Sequence, residues 1–257
     1  MTEQFWRDEY VKKSESEDAI AQSGRGNQFN AVEFLCVVKE AVELLDLRRE
    51  HNLVDVGCGN GLLDIPLSAI CRSITGIEPV AALAALARQN LADCPNVRIE
   101  VAHGGAIPAA ENSFDRALIW GVIQLIAPEA ARAMFRELRR VLRPGGRAVF
   151  ASVPDARKRD DFLTPYLNGV RDAKHLSDAQ KDAIVERNLA AQWHDPEELR
   201  FWWSELGGVA EIRPLSRNDP NASHRYHLIL TAGSAKASFI PVGGSQPSAL
   251  PGTVTSA

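Results

Sequence analysis

The sequence is poor in cysteine: Cys36, Cys58, Cys71 and Cys94 are all it has in 257 residues. No Cys-x-x-Cys pair and no His-x-x-x-His pair occurs, so neither a zinc site nor a disulfide framework is signalled, and no metal is expected. The thiols read as reduced and mostly buried. Long apolar runs are missing too, since residues 80–87 and 117–123 fall well short of the roughly 18 that a membrane span needs. Positive charge is not in excess, with 29 Lys and Arg against 33 Asp and Glu and a formal net charge of -4. That leaves no electrostatic footprint for duplex nucleic acid or an anionic membrane surface. The first residues include Glu3, Arg7, Asp8 and Glu9 and lack the basic-then-apolar order of a secretion signal. The expectation is a cytoplasmic protein, monomer or homodimer, with no nucleic-acid or membrane partner.

Apolar residues make up 45% of the chain, enough for a sizeable core, and the length fits one elaborated domain or a domain with an insertion. Phe34, Leu35, Val38, Ala41, Val42 and Leu45 define one apolar helix face. Strands are expected at residues 53–56, 73–77, 97–101, 116–122 and 147–153, with helices at 62–70, 80–91 and from Pro128, the last stopped by Pro144, Gly145 and Gly146. This alternation argues for an α/β, doubly wound, mostly parallel sheet. It breaks off between Pro154 and Gln192, where Ser177 and Gln180 mark a capping box in charged helical sequence. A helix from Asp195 to Gly207 and strands at 209–215 and 224–231 follow, read as an antiparallel pair closing the sheet edge. From Gly233 onward 12 of 25 residues are Gly, Pro or Ser, which favours a flexible tail.

Val54-Asp55-Val56-Gly57-Cys58-Gly59-Asn60-Gly61 puts three glycines where a strand turns into a helix, a place where backbone can approach a ligand closely. Leu62 stands where a dinucleotide fingerprint needs its last glycine, so that fingerprint is broken. Glu78 ends the next strand, where a carboxylate can accept hydrogen bonds from both ribose hydroxyls of an adenosine. Gly76-Ile77-Glu78-Pro79, Ile107-Pro108 through Ser113-Phe114-Asp115 to Trp120, and Leu142-Arg143-Pro144-Gly145-Gly146 complete four motifs in order. From Leu53 to Val153 the sequence resembles the class I S-adenosylmethionine-dependent methyltransferases. Gly24-Arg25-Gly26 and Ser223-His224-Arg225-Tyr226 are similar to bacterial small-molecule or sugar members.

The resemblance implies a Rossmann-like methyltransferase fold with S-adenosylmethionine as cofactor and S-adenosylhomocysteine as product. Gly57, Cys58, Gly59 and Gly61 would pack against the methionine part and ribose, with Asp55 holding the loop or reaching the amino group through water. Glu78 would bind the ribose, Pro79 and Val80 would wall the adenine, and Trp120 with Gly121 would face the methyl end. His103 stands where the family usually has an acidic residue, so its imidazole nitrogen or the backbone of Gly104 would meet the adenine. Residues 1–232 would then be one domain: an N-terminal helical segment or lid (1–45), a cofactor-binding core (46–153), a helical cap (154–192) and a C-terminal helix with a strand pair (193–232).

Methyl transfer from a sulfonium carries its own activation, so the protein mainly positions the acceptor, and a base matters chiefly for a hydroxyl. His103, His175, His194, His224, Tyr10, Tyr166 and Tyr226 are candidate bases, none fixed by a motif. At least one of Trp202 and Trp203 is expected to pack against the sheet, Arg136, Arg139, Arg140 and Arg143 to form a solvated helix face, and Arg25 to lie in a solvated loop or meet the cofactor carboxylate. The expected function is methylation of a small-molecule oxygen or nitrogen under a helical lid. A cofactor-binding subunit without transfer activity and a nicotinamide-dependent oxidoreductase are the alternatives.

Overall fold

A computed structural model describes residues 3–22, 30–217 and 219–233; the expected tail beyond 233 and the Gly24-Arg25-Gly26 segment lie outside them. The chain opens with α1 (Glu3–Ser14), α2 (Ala19–Gln22) and α3 (Ala31–Leu45). It then alternates through β1 (Asn52–Val56), α4 (Asp64–Ser68), β2 (Ser73–Ile77), α5 (Ala81–Asn90), β3 (Val97–Glu100), β4 (Phe114–Trp120), α6 (Pro128–Val141) and β5 (Leu142–Pro154). Helices α7 (Arg159–Asp172), α8 (Asp178–Ala190) and α9 (Pro196–Glu205) lead to β6 (Val209–Pro214) and β7 (Arg225–Thr231). The strands form one sheet in the order β3-β2-β1-β4-β5-β7-β6, in which β7 runs antiparallel to both its neighbours. The doubly wound sheet and the antiparallel edge match the sequence expectation.

Successive residues of the central strands serve opposite faces. Ala117 and Ile119 of β4 join α6 and α9 in one core, while Leu118 joins α3 and α4 in the other. A strand covered on both sides has no polar face to show, which is why 116–122 reads as continuous apolar sequence. Phe135 of α6 is the hub of the larger core: its ring stacks on Phe150 at 4.9 Å and meets Trp202 and Trp203 edge-on. Trp203 is fully buried and donates its indole N–H to the Thr231 carbonyl, so both tryptophans pack.

Several boundaries differ from expectation for local reasons. The helix expected over 62–70 is confined to α4, because the Asp64 N–H still closes a turn on Gly61 and the chain must reach β2 within a few residues. Strand β4 begins at Phe114 and ends at Trp120, where Gly121 at φ 69° turns the chain. Strand β5 begins before the Pro-Gly-Gly turn rather than after it. Leu142 pairs with Phe114, the register then shifts, and Gly145 at φ 76° donates its N–H to the Ala232 carbonyl. The turn is thus absorbed as an irregularity within a strand.

The arginine run is a solvated face only at Arg136, which is exposed. Arg140 donates to the carbonyls of Ala109 and Ile107 while pairing with Glu137, Arg143 pairs with Asp115 at 2.7 Å, and Arg139 donates to the Leu206 carbonyl. Cys58 and Cys71 are buried as expected, but Cys36 is exposed. Among the described residues no helix is long and apolar enough to cross a membrane. Replacing the hub ring, Phe135→Ala, is expected to lower stability by about 3–5 kcal/mol, read as a shift of the urea unfolding midpoint.

Candidate functional site

The C-terminal ends of β1 and β4 diverge at the point where the strand order reverses, and such a crevice is where open α/β sheets bind ligands. A cavity of ≈ 1320 Å³ opens there. Its floor is the glycine loop. Gly57 and Cys58 both donate their N–H groups to the Ile77 carbonyl, which ties the loop to the end of β2. Glu78, one residue on, is 5% exposed and accepts N–H donors from Gly59 at 3.0 Å and from Val80 at 2.9 Å. Burial pushes its carboxyl above the usual range, and the two N–H donors pull it partly back.

The three loop glycines are there for different reasons. All have positive φ, at 79°, 60° and 74°. A Cβ on Gly57 would collide with Val122, and one on Gly61 with Leu91 of α5, whereas one on Gly59 would meet nothing within 4 Å and would project into open space. Gly59 therefore leaves room for a ligand that a side chain would fill. Gly61 does not line the cavity; it packs closely against Ala87 of α5 and Leu91. Asp55, Gly57, Cys58, Gly59, Glu78, Pro79, His103, Gly104 and Trp120 all line the cavity.

Asp55 has a neighbour that sequence reasoning missed. Asp64, the first residue of α4, is fully buried beside it, and burial together with the Asp55 charge holds the Asp64 carboxyl well above the usual range. The charge of one carboxylate thus keeps its buried neighbour protonated where an ordinary carboxyl ionises. Asn60 was also missed. It is 1% exposed and donates to the Ala19 carbonyl at 2.8 Å and to the Gln22 side chain at 3.1 Å, so the loop holds the N-terminal segment directly. Its position, between two glycines in a loop rich in backbone donors, was a readable hint of such a tie.

The remaining walls come from Trp6, Arg7 and Tyr10 of α1, from Cys36, Val37 and Glu40 of α3, and from Ser216, Asp219, Pro220 and Asn221 between β6 and β7. No residue of α7 or α8 lines the cavity. The cap instead reaches α1 from behind, through an ion pair from Arg187 to Glu9 at 2.9 Å. Nearby, burial and the Arg187 charge pull the Lys13 amine down to about 8.

Of the seven candidate bases only His103 and Tyr10 line the cavity. His194 is buried against the Ile123 carbonyl, and its own carbonyl accepts the Tyr226 hydroxyl. His224 stacks on Phe162 at 3.6 Å, with burial pulling it down to about 4, so its imidazole is neutral. Tyr166 stacks on Phe162 and His175 is exposed. The histidine nearest the far wall, His227, belongs to none of the motifs. It is 1% exposed, accepts the Ser152 N–H at Nδ1 (3.3 Å) and meets the Glu40 carboxylate through Nε2 at 3.2 Å. Ser152 is held at φ 60°, a strained setting for a residue with a side chain, at the point where the β5–β7 register shifts.

Residues 53–146 match the family model described as a methyltransferase domain. Over those residues, which hold the glycine loop and Glu78, the chain is similar to methyltransferase domains. Methyltransferase GfsG of Streptomyces halstedii is 30% identical over 166 residues, covering 59% of this chain and 56% of that protein. A protein-L-isoaspartate O-methyltransferase of Rhodopseudomonas palustris is 33% identical over 90 residues, 34% of this chain and 42% of that one. The chain thus spans about half the length of these curated relatives. Two solved structures share the fold. One is the N-methyltransferase NodS of Bradyrhizobium japonicum with S-adenosylhomocysteine, at TM-score 0.60 and 16% identity over 88% of this chain and 97% of that one. The other is a phosphoethanolamine N-methyltransferase of Haemonchus contortus, at TM-score 0.65 and 15% identity over 96% of this chain and 52% of that one. Both of these solved structures contain S-adenosylhomocysteine; in this chain the space at Gly59, beside the Glu78 carboxylate, is open.

Two predictions separate binding from packing. Gly59→Val is expected to abolish S-adenosylhomocysteine binding in calorimetry with only the loss of melting temperature that a side chain at φ 60° costs, whereas Gly61→Val adds the clash with Leu91 and is expected to lower the melting temperature further. The Asp64 proton also makes stability depend on pH. In the unfolded chain this carboxyl loses its proton near pH 3.9, while the fold retains it to a much higher pH, so stability declines as pH rises between the two values. Asp64→Asn is neutral at every pH. It is expected to raise stability at pH 7 and to remove that slope, which for one group is at most about 1.4 kcal/mol per pH unit.

Proposed function

We propose that the protein transfers the methyl group of S-adenosylmethionine to an oxygen or nitrogen of a small molecule. The observation that carries this reading is the cavity. At ≈ 1320 Å³ it exceeds the roughly 300–1,000 Å³ typical of a site for one drug-sized ligand, which leaves room for an acceptor beside the cofactor. Bound there, the cofactor supplies an electrophilic methyl group on a positively charged sulfur. The chain's own residues then bind and orient. Glu78 accepts hydrogen bonds from the ribose, and Gly57, Cys58 and Gly59 present backbone to the sugar and methionine part. Asp55 serves the amino group, Pro79, Val80, His103 and Gly104 border the adenine, and Trp120 walls the methyl end.

The acceptor side is supplied by elements outside the matched domain: Trp6 and Tyr10, the α3 residues Cys36 and Glu40, and the loop before β7. These are the walls of a lid, which excludes water and fixes the approach of the nucleophile. The cap braces this lid from outside, so residues 1–45 and 154–192 act together. The likeness to the isoaspartate enzyme over 34% of this chain supports the cofactor half and carries no acceptor with it.

In calorimetry the chain is expected to bind S-adenosylmethionine with a dissociation constant below 1 mM, a threshold equivalent to about 4 kcal/mol of binding free energy, and to release S-adenosylhomocysteine with a small-molecule acceptor pool. Binding without release in any pool would leave a cofactor-binding subunit instead. Glu78→Ala is expected to cost about 1–3 kcal/mol of cofactor affinity.

A further inference from the structure

Among the cavity-lining carboxylates outside the cofactor end, three lie on α3 and one in the loop before β7. Glu33 is spent on the capping box, accepting the Asn30 N–H, and Glu43 pairs with Lys39 at 3.4 Å. Asp219 accepts the Asn221 N–H in its own loop. Glu40 differs from all three. Its partner is a buried imidazole reaching it from β7, and that imidazole is itself fixed by the backbone.

The tautomer follows from the hydrogen bonds. Ser152 offers an N–H, so Nδ1 of His227 must be the acceptor and carry no proton. The ring proton is then on Nε2 and is donated to Glu40 Oε1 at 3.2 Å. The imidazole is therefore neutral, and it orients the carboxylate without cancelling its charge. The Ser152 backbone is bent to φ 60° to make this arrangement, and the Ser152 carbonyl is in turn held by Arg225 Nη1 at 2.9 Å. The Trp120 ring lies edge-on to His227 at 6.3 Å. Trp120, Ser152, Arg225 and Glu40 all line the cavity, while His227 stands behind them, 1% exposed.

Resting on the methyl-transfer reading above, we infer that the acceptor is a hydroxyl compound, that Glu40 is its general base, and that His227 is a positioning residue acting through Glu40. In the step itself the hydroxyl proton passes to a Glu40 carboxylate oxygen as the acceptor oxygen forms its bond to the methyl carbon. The methyl–sulfur bond breaks with its electron pair going to sulfur, giving a neutral thioether, and Glu40 later returns the proton to water. An alcohol needs such a base because its oxygen is a weak nucleophile until the proton leaves. A carboxylate held at the cavity wall by a buried imidazole N–H meets that need.

The test combines binding, turnover and a spectroscopic signature. S-adenosylhomocysteine release is measured with two probe pools, one of phenols, alcohols and sugars and one of primary and secondary amines. Wild type is expected to turn over with the hydroxyl pool. E40Q, which keeps shape and can still accept the His227 N–H, is expected to lose at least about 100-fold in kcat with its S-adenosylmethionine affinity within two-fold of wild type. H227A is expected to lose kcat with KM little changed, and H227Q, which restores an N–H toward Glu40, to recover part of it. Independently of turnover, 15N ring shifts of the wild-type protein with S-adenosylhomocysteine should show His227 as the neutral Nε2–H tautomer. An Nδ1–H tautomer, E40Q turning over at the wild-type rate, or release with the amine pool alone would each overturn this inference while leaving methyl transfer standing. Release with neither pool would overturn the methyl-transfer reading and this inference with it.

Discussion

The Glu78 carboxylate is the constraint around which the cofactor half of the molecule is arranged. It leaves the end of β2 and accepts the N–H of Gly59 on one side and of Val80 on the other. The glycine loop and the start of α5 are therefore set against each other by one side chain. A carboxylate this deeply buried is costly unless its lone pairs are used, and two backbone donors use only part of them. Glu78 also lines the cavity, so a ligand rich in hydroxyls is the kind that would use the rest. Loop geometry and ligand recognition are thus a single arrangement, and the Ile77 carbonyl, holding Gly57 and Cys58, keeps the floor rigid while the ligand comes and goes.

The cofactor half was legible in the sequence because its physics is local. A strand that must end in a tight turn leaves glycines, and a strand buried on both faces leaves an unbroken apolar run. Residues at strand ends can be counted from there, which placed Glu78 and Trp120 correctly at the cavity. The same counting could not separate Gly61, packed on Leu91 away from the cavity lining, from Gly59, because a glycine required for packing and one that leaves open space look alike in one dimension. The arginines of α6 and the turn after it misled for a similar reason. Their partners are carbonyls at Ala109, Ile107, Asn112 and Leu206, up to 67 residues away, and nothing in a charge run shows that.

The acceptor half was not legible because each of its walls belongs to a different stretch of chain. Glu40 and His227 are 187 positions apart, and they meet only because β7 runs against its neighbours, so that its first residues arrive beside the last residues of β5. The reversal of one strand delivers Arg225 and His227 to the same end of the sheet as Trp120 and the glycine loop. Two of the candidate histidines, His194 and His224, are consumed in structural contacts with Ile123 and Phe162.

The ion pair between Arg187 and Glu9 separates two properties that usually change together. Helix α8 touches the lid but not the cavity, so substitutions along α8 alter how tightly α1 is clamped without altering what the cavity recognises. The contacts that hold α1 can therefore change on an exposed helix while the residues lining the cavity stay the same.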